Sequence, residues 1–299
     1  MIEPKFIEFK TDDGLLLPGL LYPAKNSRKV IISLHGNGSA SVFYNEHEQR
    51  VMAEVFAKHG ISLFAFNNRG AHILKTFRIE GEEHKKRLGM SYELIKECVP
   101  DIDGAVAAMK QQGYHEFILM GSSTGANKIC VYDQYKKVRN PFSRYVLLAG
   151  GDDTGIYYDM LGKQKFTRCL KEAKRKIHDG NGGDFMTELI PEGIFASYQS
   201  FDDVCDPDGD YNCFPFYEVM NNVKLSTKPL FRYFKAIKKP SLVVYGKQDE
   251  YAWGDVPRAV SLLREQQPTF SYEIIPNADH GFHGYEKQLA ETIVRWVTA

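Results

Sequence analysis

The 299-residue chain has no excess of charge of either sign, with 38 basic side chains against 38 acidic ones. That balance argues against bulk electrostatic capture by nucleic acid or by an anionic membrane. Cysteine is scarce. Cys98, Cys130, Cys169, Cys205 and Cys213 are odd in number and widely spaced, and they form no CxxC pair. Such spacing suggests no zinc site and reads as free thiols in a reducing compartment. No stretch approaches the roughly 18 uninterrupted apolar residues of a membrane span, and "MIEPKFIEFK" lacks the apolar region of a signal peptide. The expected location is therefore the cytoplasm, with no membrane span and no nucleic-acid partner. Internal repeats and low-complexity tracts are also missing.

What is present is an alternation. "KFIEFKT" and "LLLPGLLYPA" read as two strands joined by a turn at Asp12-Asp13-Gly14. "KVIISLHGNG", "ISLFAFNNRG", "EFILMGS", "RYVLLAGG", "PSLVVYG" and "SYEIIPNA" are apolar runs that end in turn residues. Helical patterns lie between them, near residues 44–59, 99–111, 125–137, 256–266 and 285–297. Continuously apolar strands alternating with helices predict an α/β fold, a mostly parallel sheet covered on both faces. Ligands of such sheets sit at the carboxyl ends of the strands. Residues 1–150 and 240–299 carry this rhythm and form the expected core. Between them, residues 151–239 lose it and become rich in aromatics, which reads as a mainly helical insertion.

Four turns at strand ends hold the candidate chemistry. Gly121-Ser122-Ser123-Thr124-Gly125 fits G-x-S-x-G between a predicted strand and a predicted helix, the setting of a strained nucleophile elbow with Ser123 at its centre. A serine hydroxyl needs a base. His280 follows the last predicted strand; His283 is the weaker choice. The histidine needs an acid to hold its tautomer. Asp249 stands three residues after "LVVYG", with Glu250, Asp152 and Asp153 as fallbacks, and a turn or helix-capping role is the plain alternative for Asp249. A tetrahedral intermediate needs two backbone donors. Thr124, next after the nucleophile, supplies one, and the "HGNG" turn supplies the other through Asn37 or Gly38. The order Ser123, Asp249, His280 is the one this type of elbow requires. A neutral histidine base implies activity that rises with pH through an apparent pKa of roughly 6 to 7.

"LHGNG", "NNRG", "GSSTG", "YGKQDE" and "ADHGF" together resemble the α/β-hydrolase superfamily, over most of the chain. The resemblance implies an eight-stranded, mostly parallel sheet, a cap inserted where residues 151–239 fall, and a serine hydrolase or esterase that uses no cofactor and no metal. "LMGSSTGA" and "YGKQDEYAW" are loosely similar to the fungal siderophore-esterase group, although the "HGNG" opening follows the more general hydrolase pattern. The expected partner is a small-molecule ester, and the sequence is silent on oligomeric state. A peptidase or amidase of the same fold, or a non-catalytic ligand-binding relative, are the competing readings. Within the cap, Phe201 and Phe216 are expected to wall the substrate pocket. The run Lys163 to Lys176 reads as the solvated face of a helix, and "DPDGD" (206–210) as a turn. No Lys or Arg lies between Asp179 and Glu218, an acidic stretch that includes Glu192.

Overall fold

The computed structural model describes every residue except 1, 39, 78, 80, 82, 84 and 189–194. Part of the expected helical insertion, including Glu192, thus lies outside the described residues. The strands are β1 (Lys5–Lys10), β2 (Leu16–Tyr22), β3 (Lys29–Leu34), β4 (Ile61–Phe66), β5 (Lys75–Phe77), β6 (Lys86–Leu88), β7 (Glu116–Ser122), β8 (Phe142–Leu148), β9 (Ser241–Gly246) and β10 (Ser271–Ile275). The helices are α1 (Glu46–Lys58), α2 (Cys98–Gln111), α3 (Thr124–Tyr135), α4 (Asp153–His178), α5 (Tyr198–Cys205), α6 (Phe216–Met220), α7 (Arg232–Ala236), α8 (Val256–Gln266) and α9 (Glu286–Thr298).

Eight strands form one sheet in the order β1-β2-β4-β3-β7-β8-β9-β10. The β1–β2 and β2–β4 pairs are antiparallel, and the pairs from β4 through β10 are parallel. This is the α/β-hydrolase fold. Every residue of β4 and β9 is buried, as expected of strands covered on both faces. α1 packs against α9, and α2 against α3. The small sheet of β5 and β6 was not legible in the sequence. Its two three-residue strands are mostly exposed, so they carry no apolar pattern to read.

Between β8 and β9 the described residues form α4 to α7. The basic run lies on α4, and "DPDGD" closes a turn in which the Gly209 N–H donates to the Asp206 carbonyl at 2.8 Å. Many aromatics of this segment are core. Phe214 packs on Phe234, and Phe216 on Tyr245 of β9. All five cysteines are buried and free. No helix among the described residues is long and apolar enough to cross a membrane.

The loop after β4, "NNRG", is held by buried charge. The Arg69 guanidinium, 1 % exposed, donates to Asp101 Oδ1 at 2.6 and 3.0 Å and to Asp13 at 2.9 and 3.0 Å. The Arg69 N–H also donates to Asp101 Oδ2, at 2.9 Å. Removing one partner of such a pair leaves a buried charge uncompensated. Arg69→Met is therefore expected to lower the free energy of unfolding by about 3–5 kcal/mol, read by urea denaturation. A loss below about 1 kcal/mol would show that the pair behaves like an exposed one.

Candidate active site

The turn from β7 into α3 positions Ser123. Its backbone has φ 55° and ψ −125°, a region that non-glycine residues rarely occupy and that persists only when its surroundings enforce it. Here the Ser123 N–H donates to the Leu148 carbonyl at 2.9 Å, and the Ser123 carbonyl accepts from the Ala126 N–H at 2.8 Å. The flanking glycines are required by close approach. A Cβ on Gly121 would lie 2.3 Å from the Gly125 carbonyl oxygen, and one on Gly125 would lie 2.7 Å from that of Leu34. The elbow is thus packed against the end of β3, whose next residues are "HGNG".

His280 and Asp249 come from the loops after β10 and β9. Those loops are stitched together: the Lys247 N–H donates to the Ile275 carbonyl at 2.9 Å, and the Gln248 N–H to that of Ala278 at 2.8 Å. The result is a hydrogen bond of 2.9 Å between His280 Nδ1 and Asp249 Oδ1. Asp249 is buried and also accepts from the Tyr251 N–H at 2.9 Å. The capping role weighed for Asp249 belongs instead to Asp255, whose carboxylate accepts from the Arg258 N–H at the start of α8. Glu250 accepts the His280 backbone N–H at 3.1 Å and so holds that loop. Burial alone would lower the His280 pKa. The hydrogen bond and charge of Asp249, with the charges of Glu250 and Asp153, outweigh it and leave the pKa above the usual 6.5. His283 is exposed and pairs with Asp279 at 2.8 Å.

A cavity of about 760 Å³ opens at this end of the sheet, and Ser122, Ser123 and His280 all line it. Ser123 and His280 do not hydrogen-bond to each other among the described residues. Asn37 and Gly38 line the same cavity. Thr124 is buried at the first position of α3, where a helix leaves its N–H groups without intrahelical partners. Its hydroxyl lies 3.1 Å from the Tyr211 hydroxyl, and Tyr211 also accepts from Asn37 Nδ2 at 3.4 Å. Tyr211 belongs to the segment between β8 and β9, and nothing in the sequence pattern singled it out.

His35 is half-buried and pinned as the neutral tautomer. Its Nδ1–H donates to the Gly36 carbonyl at 2.7 Å, and its Nε2 accepts from the Asn68 N–H at 3.2 Å. Burial, chiefly, pulls its pKa down to about 3. Lys128 of α3 donates to Glu93 at 2.6 Å and to Asn68 Oδ1 at 3.1 Å, both buried. This network ties the "HGNG" turn, the "NNRG" loop and the helix behind Ser123 together.

Of the fallback acids, Asp152 caps α4 by accepting from the Gly155 N–H and also takes the Tyr217 N–H. Asp153 lines the cavity beside Ser123, and burial raises its pKa to about 6. Phe201 and Phe216 require a correction. Neither lines the cavity. Both are buried in the interior, Phe201 edge-on to Tyr157 and Phe216 against Phe231 and Tyr245. From this segment the cavity wall takes Asp153, Ile156, Tyr157 and Met160 of α4 instead. Among the described residues, no group of three or more His, Cys, Asp or Glu side chains is placed to hold a metal ion.

Comparison with protein families matches residues 88–299 to the family described as "Protein of unknown function (DUF1749)". The chain belongs to the DUF1749 family. A comparison with curated proteins finds no match. Among solved structures this DUF1749 protein is similar to Est1E from Butyrivibrio proteoclasticus, at 15 % identity and a TM-score of 0.63, over 98 % of this chain and 97 % of that one. It is similar to the α/β hydrolase GrgF from Penicillium sp. sh18, at 14 % identity and a TM-score of 0.64, over 99 % and 98 %. It is also similar to carboxylesterase CesB (YbfK) from Bacillus subtilis, at 14 % identity and a TM-score of 0.55, over 99 % and 92 %. At such identities the likeness establishes the fold that the DUF1749 chain shares with these hydrolases, while its own site rests on the geometry above.

Proposed function

We propose that this protein is a serine hydrolase that cleaves carboxylic esters of small molecules through an acyl-enzyme on Ser123. The observation that carries the reading is the strained Ser123 elbow lining one cavity with a His280 already hydrogen-bonded to buried Asp249. Ser123 Oγ attacks the ester carbonyl while His280 Nε2 takes its proton. The Asn37 and Thr124 amides receive the oxyanion. His280 returns the proton to the leaving alcohol. Water, deprotonated by the same histidine, then releases the acid and restores Ser123. Asp249 orients His280 and offsets its transient charge. Residues 151–239 act as a cap. α4 supports this by contributing Asp153, Ile156, Tyr157 and Met160 to the cavity wall. Est1E and CesB lend support as neighbours, the latter being called a carboxylesterase.

The test is hydrolysis of matched ester and anilide panels, with the pH profile of kcat/KM. Esters are expected to be turned over in preference to anilides. His280 must be neutral to act as base, so activity is lost as pH falls through its pKa. That pKa is held up by Asp249, so the acid limb should have its midpoint above 6.5. A profile flat from about pH 5 to about pH 9 would remove His280 from the rate-limiting step. Turnover of anilides without esters would make the protein an amidase.

A further inference from the structure

The cavity does not stop at Ser123. Ser33 of β3 pairs with Ala65 of β4 on one side and with Met120 of β7 on the other, and all three line the cavity. They therefore form one row across the middle of the sheet. Ser33 is only half-buried although β3 is a central strand. Small side chains at Ser33 and Ala65 leave a recess, closed by Gln49 and Met52 of α1 and Leu289 of α9. The cavity thus runs from the elbow along the sheet face beneath the packed pair α1 and α9.

Its wall beside α1 holds polar atoms without partners. Gln49 is 9 % exposed, and its Nε2 donates to the Val42 carbonyl at 3.2 Å. A carbonyl can only accept, so the amide nitrogen must face Val42 and Oε1 is left over. Gln49 Oε1 has no hydrogen-bond partner among the described residues, nor does Glu48 Oε2 in the adjoining wall. Among the described residues no Lys or Arg lines the cavity. A buried acceptor without a donor is costly, whereas an apolar side chain of the same shape would not be. A plain fatty chain would leave both oxygens unpaired.

We infer that this part of the cavity is a specificity pocket in which Gln49 Oε1, with Glu48 beside it, accepts a hydrogen bond from a hydroxyl or ammonium group of the substrate. The inference rests on the esterase reading for the reaction, but the preference itself is a property of binding. Its test is calorimetric titration of the Ser123→Ala protein with methyl esters of four- to eight-carbon acids whose far end bears hydrogen, hydroxyl or amine, and with acetate esters of the matching alcohols. In one of the two series, at the chain length that spans the pocket, the donor-bearing ligand is expected to bind about tenfold tighter than its apolar counterpart. Adding Gln49→Met should erase that preference. Gln49→Glu keeps the acceptor and should retain it, with ammonium gaining over hydroxyl. Glu48→Gln should reduce only the ammonium advantage. Near-ultraviolet circular dichroism of each variant guards against misfolding. No donor preference at any length in either series, or an undiminished preference in folded Gln49→Met, would overturn the pocket. Failure of the esterase reading shows separately, as absence of 4-nitrophenyl acetate turnover by the unmutated protein, and leaves the binding result standing.

Discussion

Ser123→Ala is expected to reduce ester turnover by about 10⁶-fold, the loss found when a serine hydrolase is stripped of its nucleophile, and to abolish labelling by a fluorophosphonate. The fold should survive, because the change removes one oxygen from a side chain that makes no hydrogen bond among the described residues. Ser122 also lines the cavity and is the natural control. It sits at the end of β7, with neither the strained backbone nor the first position before α3. Ser122→Ala should retain most of the activity, and mass spectrometry of the labelled protein should find the phosphonyl group on the peptide at Ser123. A label on Ser122, or undiminished turnover in Ser123→Ala, would put the elbow in the wrong register.

The second large effect is at the acid. Asp249→Asn should leave a folded protein with kcat about 10⁴-fold lower, because an amide nitrogen facing His280 Nδ1 favours the wrong tautomer. A second readout separates this from general damage. The hydrogen bond and charge of Asp249 hold the His280 pKa up against burial. Without them the acid limb of any residual activity should move to lower pH. Asp153 gives a contrast: it lines the cavity and is charge-coupled to His280, but it does not hold Nδ1. Asp153→Asn should displace the acid limb downward with a much smaller fall in kcat. A mild Asp249→Asn and a crippling Asp153→Asn would reassign the acid to the end of β8.

Much of the architecture could be read along the chain because it is written in local periodicity. α8 occupies the expected 256–266, α2 begins one residue before its expected start, and α9 is displaced by one residue at each end. The continuously apolar runs became β3, β4, β7, β8 and β9, since strands covered on both faces need apolar side chains on both. The elbow was legible for a related reason. Its glycines answer to backbone contacts closer than a Cβ allows, and that demand leaves a motif.

Aromatic content was a poor guide to the pocket. A phenylalanine pays the same hydrophobic dividend against a neighbour or against a ligand, so its presence in residues 151–239 did not say which way it would face. Phe201 and Phe216 went to the core, while Ile156 and Met160 went to the cavity. Tyr211 and Gln49 were invisible for the complementary reason. Their roles depend on residues far apart in the chain, Tyr211 on its contacts with Thr124 and Asn37, and Gln49 on a cavity that the row Ser33, Ala65 and Met120 also lines.

By itself, the sequence determined the order of the eight strands of the main sheet with the helices between them, the strained turn at Ser123, and the chain order of Ser123, Asp249 and His280, because each is written in local pattern. Only the tertiary structure decided that Asp249, not the adjacent Glu250, meets His280 Nδ1, that Asp152 caps a helix while Asp153 faces the cavity, and that Gln49, with an unpaired oxygen, joins the cavity wall. Those outcomes depend on which side chains are left without a partner once the sheet and its helices have closed, and local sequence carries no record of that.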